Sequence, residues 1–97
     1  MKLSTAILKG SKGRNQVYEE LYDGEGVCAL GAACFGVGIK PKKGAVFSNN
    51  LLKVFPYLGR FSLEHKKETL ADKIVSHNDN DRWSFKRIAS WLRKLGH

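Results

Sequence analysis

Residues 27–38 read Val-Cys-Ala-Leu-Gly-Ala-Ala-Cys-Phe-Gly-Val-Gly, with no charge at any position. In a chain where 27% of residues are charged, that run constrains everything around it. A helix that is apolar all round belongs at the centre of a fold, because no face of it suits water. The run follows a turn-forming Asp23-Gly24-Glu25-Gly26 and ends in Gly36 and Gly38. The pattern predicts a buried helix over Cys28–Val37, with Gly31 and Ala32 letting neighbouring backbones come close. A second reading keeps the helix but makes it an active-site helix, with Cys28 at its start as nucleophile.

Ninety-seven residues, 42% of them hydrophobic, predict a single globular domain over 1–97 with a small core. No apolar run approaches the roughly 20 residues a membrane helix needs. The apolar stretch near Met1 is also shorter than the roughly 7–15 residues of a signal-peptide core. These features point to a soluble, cytoplasmic protein with no membrane partner. On one helix Cys28 and Cys34 would sit about 240° apart, so an internal disulfide would break the helix. Free thiols are the expectation, and the pair matches no zinc signature. No metal or cofactor is expected.

The rest of the chain reads as short helices. Leu3–Leu8 places Leu3, Ala6 and Ile7 on one face, with Gly10 and Gly13 as stops. Asn15–Tyr22 fits either state: Tyr18, Leu21 and Tyr22 have helical spacing, while the aromatic content and the Asp-Gly turn favour an extended segment turning back. Asn49 or Asn50 caps a helix that turns Leu51, Val54, Phe55 and Leu58 inward, and Pro56 bends or ends it. Lys66–His77 carries Leu70, Ile74 and either Ala71 or His77 on one stripe. Asn78-Asp79-Asn80-Asp81 is a polar break. Ser84 caps the clearest helix, whose arc holds Phe85, Ile88, Ala89, Leu92 and Leu95, with Trp91 at its edge. The expected fold is mainly α. It is a compact bundle of about five short helices around the Ala/Gly/Cys helix, with room for one small β-hairpin.

The formal charge is +8, and it is concentrated in two blocks. Residues 40–60 hold Lys40, Lys42, Lys43, Lys53 and Arg60 with no acid. Residues 82–97 hold Arg82, Lys86, Arg87, Arg93 and Lys94 with no acid. On the last helix Lys86, Arg87, Arg93 and Lys94 lie opposite the apolar arc. Such a face suits an anionic partner, either nucleic acid or an acidic protein, although it also serves solubility alone. Ser84-x-x-x-Ile88-Ala89-x-x-Leu92 has the look of a helix from a helix-turn-helix. With the chain ending at His97, the motif would need Lys66–His77 as its scaffold and the terminal helix as reader.

Three further constellations bear on chemistry. A cysteine at a helix start favours its thiolate, and His77 with Asn78 or Asp79 would complete a Cys–His hydrolase as base and orienter. Against it, Cys among Ala and Gly behaves as a small buried hydrophobe. The Asp/Asn alternation at 78–81 lacks the glycine and glutamate of a calcium loop, so an Asx turn linking two helices is the plainer reading. Trp83, Trp91, Tyr57 and Phe61, near Arg82 and Arg87, would suit a protein-binding inhibitor if they formed one exposed patch. Only Trp91 is expected to be partly exposed.

Asp23-Gly24 with Cys28-Ala29-Leu30-Gly31-Ala32, Asn78-Asp79, Trp83-Ser84 and Ile88-Ala89-Ser90-Trp91 together resemble a group of small, functionally uncharacterised bacterial and bacteriophage proteins. Many of those carry a Cys-x-x-Cys pair where this chain has Phe61-Ser62-Leu63-Glu64-His65, so a zinc site implied by them would be missing here. The resemblance implies an origin in a phage or mobile element and supports the architecture. The favoured expectation is a small basic, non-enzymatic binding module. It would dock Lys86, Arg87, Arg93, Lys94 and Trp91, with Lys40, Lys42 and Lys43, on nucleic acid or an acidic host protein.

Overall fold

The computed structural model describes residues 1–60 and 68–97. Phe61, the 61–65 stretch and the Lys66–Lys67 start of the expected fourth helix lie outside the described residues. Among the described residues, five α-helices and one 3-10 turn account for the regular structure: α1 (Leu3–Ser11), α2 (Ala29–Gly36), α3 (Asn49–Val54), the 3-10 turn Pro56–Gly59, α4 (Leu70–Asp79) and α5 (Phe85–Lys94). The fold is a small helical bundle, as the apolar periodicities predict.

α2 is the centre. Seven of its eight residues are buried, and Phe35 is half-buried against the same core. α1 lies directly on it, with backbone nearly touching backbone. A Cβ on Gly10 would stand 1.6 Å from the Ala32 carbonyl oxygen, and one on Gly36 would stand 2.0 Å from that of Ala6. These two glycines are therefore contact surfaces, which corrects the reading of Gly10 as a helix stop: α1 runs through it to Ser11. Gly13, with φ of +72°, follows in the turn beyond. Gly31 serves the same purpose on another side of α2, where the Leu21 carbonyl would be 1.9 Å from its Cβ.

Residues 14–27 form neither helix nor hairpin. Two isolated bridges, Gln16 with Val27 and Tyr22 with Val27, stand where a hairpin was expected. The segment wraps α2 in extended pieces because its backbone bonds are divided among several neighbours. Val17 N–H donates to the Val27 carbonyl, Val27 to Asn15, Cys28 to Leu21, and Leu21 to Ala45. Asp23 closes the turn before α2. Its Oδ1 accepts from the N–H groups of Gly26 and Glu25 at 2.6 and 2.8 Å, which holds the carboxyl below its ordinary pKa.

The remaining helices depart from the sequence reading mainly at their ends. Ser48, not Asn49 or Asn50, caps α3 by accepting from Leu51 N–H. Leu51, Phe55 and Leu58 are buried as expected, but Val54 points outward, 48% exposed. Pro56 starts the 3-10 turn, where its missing N–H costs nothing. Thr69 and Asp72 cap α4 reciprocally, and the helix continues through Asn78 and Asp79, so the polar break begins at Asn80. Ala71, Ile74 and Asn78 form the buried stripe of α4, with His77 beside it. On α5, Ile88, Ala89 and Leu92 are buried, whereas Leu95 is past the last turn and 52% exposed. α5 packs most extensively on α1. The two are also tied at the chain end, where the His97 carbonyl accepts from both the N–H and the Oγ of Ser4. No helix of the described residues is long and apolar enough to cross a membrane.

Candidate functional sites

Cys28 caps α2. Its Sγ accepts weakly from Gly31 N–H at 3.4 Å, and the residue is 6% exposed. Burial pushes the thiol up to about 11, outweighing the helix N–H groups that lower it. At neutral pH the sulfur therefore keeps its proton, and a protonated thiol is a poor nucleophile. Cys34 is also buried, free and raised by burial.

Asn78 does come to the start of α2, but as a backbone clamp. Its Oδ1 accepts from Ala29 N–H at 3.1 Å and from Gln16 Nε2 at 2.8 Å. Its Nδ2 donates to the Val17 carbonyl at 3.0 Å and to Asp79 Oδ1 at 2.8 Å. An amide can make four good hydrogen bonds, and this one makes all four. Asp79 lies close enough to Cys28 for its charge to disfavour the thiolate. Three of the four residues of the hydrolase reading thus gather at one place, yet there they hold α4, α2 and the 14–17 segment together.

His77 turns the other way, one residue round the helix. Its ring stacks on Trp83 at 3.8 Å and 3° from parallel, meets Trp91 edge-on at 4.7 Å, and its Nδ1 lies 2.7 Å from Asp81 Oδ2. The Arg87 guanidinium sits 4.2 Å from the centre of the same Trp83 ring. Trp83 thus carries the His77 ring and the Arg87 guanidinium in contact with one indole. The backbone N–H of Trp83 donates to the His77 carbonyl, and its own carbonyl accepts from Gln16 Nε2. Gln16 escaped the sequence reading. It lies in the irregular segment, where no periodicity marks an inward side chain. Asn78 was more legible, since 71, 74 and 78 share a helical stripe.

Trp83, Trp91 and Tyr57 do not form one patch. Trp83 and Trp91 belong to the His77 cluster, while Tyr57 stacks on His97 at 4.2 Å and tilts against Phe55 at 5.9 Å. The side chains of Asn80 and Asp81 are engaged locally: Asn80 reaches Ser76, and Asp81 reaches His77. Among the described residues no three His, Cys, Asp or Glu side chains are grouped as metal ligands.

The basic face of α5 is fully displayed. At 100° per residue, Arg93, Lys86, Ser90, Lys94 and Arg87 follow one another round about 120° of helix surface. All five are exposed. Trp91 comes next, half-buried, about 40° beyond Arg87. α5 carries no acid, and among the described residues no carboxylate lies within ion-pair distance of its cations. Lys40, Lys42 and Lys43 are exposed too, but their loop bonds elsewhere. Gly44 N–H donates to the Tyr22 carbonyl, and Lys43 lies against the Asp23-Gly24 turn, where it helps lower the Asp23 pKa. The contacts of α5 run to α1 and α4, those of the loop to the 21–24 turn. No family model matches the chain, and no curated protein or solved structure matches it either.

Proposed function

We propose that the protein is a non-enzymatic binding module whose α5 docks on the phosphate backbone of a nucleic acid. The observation that carries this reading is the stripe of Lys86, Arg87, Arg93 and Lys94: exposed, on one side of a rigid helix, and without a carboxylate partner among the described residues. From Lys86 to Lys94 the cations span about 12 Å of helix axis, enough to face several phosphates of a duplex. Arg87 is held in place by Trp83, so less side-chain freedom is lost when it binds. Lys40, Lys42 and Lys43 add to the positive field without being part of the docking face. The reading belongs to a reducing cytoplasm, where two buried free thiols stay reduced. An origin in a phage or mobile element goes with it.

The test is a fluorescence-anisotropy titration of duplex DNA at several salt concentrations. Four phosphate contacts give a slope of log K against log salt of about −3 to −4. Absence of binding at low ionic strength to any nucleic acid, together with retention of one acidic protein partner, would replace this reading with protein docking.

A further inference from the structure

We propose that the pocket between α4 and α5 takes an unstacked nucleobase, so that the nucleic acid held by α5 is single-stranded at this site. The inference rests on the nucleic-acid reading above and names the form of nucleic acid it concerns. The pocket has a volume of about 240 Å³ and is lined by Glu68, Lys73, Ser76, His77 and Trp91. That is below the roughly 300–1,000 Å³ of pockets for drug-sized ligands, and it suits a single ring system.

The lining fits a base in kind as well as in size. Trp91 and His77 supply aromatic walls, on which bases stack regardless of sequence. Glu68 accepts hydrogen bonds, Lys73 donates them, and Ser76 does both, which matches an edge bearing N–H groups beside lone pairs. The walls are fixed before anything binds. His77 is pinned by its stack on Trp83 and its bond to Asp81, and Trp83 is itself held by the Arg87 guanidinium 4.2 Å from its ring centre. Trp83 does not line the pocket and is a support; Trp91 does, and is the platform.

Position joins the pocket to the basic stripe. Trp91 is a wall of the pocket and also a residue of α5, four after Arg87 and three before Lys94, hence their neighbour on the helix surface. A strand whose phosphates lie on Arg87 and Lys94 carries a base past Trp91. A base in a duplex would have to flip out of its stack to enter, at a cost of a few kcal/mol.

The test compares three ligands in anisotropy titrations of the intact protein: a single-stranded 12-mer, a fully abasic strand of the same length and charge, and a 12-base-pair duplex, whose higher charge density makes it the control for phosphate binding alone. The single strand should bind about 10-fold more tightly than the abasic strand. Trp91→Ala should remove that difference, while Trp91→Phe should keep most of it; circular dichroism checks that each variant is folded. Equal affinity for the abasic and normal strands in the unaltered protein would overturn the pocket assignment while leaving α5 as a phosphate-binding face. No binding of any of the three at low salt would overturn both.

Discussion

The start of α2 and the outer face of α5 hold most of the chain's noteworthy side chains, and they treat polar groups in opposite ways. At the start of α2 the Asn78 amide makes all four of its hydrogen bonds within the fold, and among the described residues none of the buried side-chain nitrogens or oxygens lacks a partner. On α5, four cations project into water with no acid on the helix. A saturated cluster resists change because removing one member leaves the others unsatisfied in a low dielectric. An unsaturated charged face costs the fold little and is free to meet a partner. The difference separates stability from binding: the first region should respond to mutation in unfolding experiments, the second in binding experiments.

The largest effect should come from the α1–α2 contact. Gly36→Ala would drive a Cβ to 2.0 Å from the Ala6 carbonyl oxygen, a backbone atom that cannot step aside without moving α1. Loss of more than about 3 kcal/mol in urea unfolding is expected, at the upper end of overpacking in a core. Native stability in the Gly36→Ala variant would mean that the two helices are not in backbone contact.

Asn78→Ala comes next. It would leave the Ala29 N–H, the Val17 carbonyl and Gln16 without their partner, and about 2–4 kcal/mol should be lost. Asn78→Asp is informative beside it, since a carboxylate can still accept from Ala29 but cannot donate to Val17. If Asn78→Ala unfolds at the same urea concentration as the parent, the clamp is not a structural element.

A smaller effect concerns Cys28 and pH. The folded thiol titrates at about 11 against an ordinary 9.0. Between those values the unfolded chain has lost its proton and the folded chain has kept it, so stability falls as pH rises, by up to about 2 kcal/mol. The difference between parent and Cys28→Ser in unfolding free energy, followed from pH 8 to 11, isolates this contribution, because serine keeps the cap without titrating. Iodoacetamide labelling at pH 7.5 should be about 100-fold slower than for an exposed cysteine. Rapid labelling of the folded protein would restore Cys28 as a candidate nucleophile.

Much of this was legible in the chain because helical periodicity and capping are local. The apolar 27–38 run announced the centre, Ser84 announced α5, and the 100° spacing separated Ile88 and Leu92 from Lys86 and Arg93 correctly. What escaped depends on contacts between distant segments. Gly10 reads as a helix stop until Ala32 is seen lying against it. His77 and Asn78 read as one catalytic unit because they are adjacent, but a helix turns neighbours about 100° apart, and only packing shows which goes inward. Residues 15–22 had no consistent period because they satisfy their backbone against Val27, Cys28 and the 44–45 region rather than against themselves. The pairing of Trp83 with both His77 and Arg87 needed the α4–α5 turn to be in place.

The most direct test of the division between a structural centre and a binding face is a single variant, Lys86→Gln with Arg87→Gln, Arg93→Gln and Lys94→Gln, measured twice. Its urea unfolding midpoint should stay close to the parent's, since among the described residues only Arg87 of the four makes a cation–π or ion-pair contact, over Trp83, worth about 0.5–1 kcal/mol at an exposed site. Its affinity for nucleic acid at 50 mM salt should fall at least 100-fold, with the salt slope reduced by about 3 to 4. Unchanged affinity and slope in a folded variant would contradict the account, because α5 would then not be the face that binds.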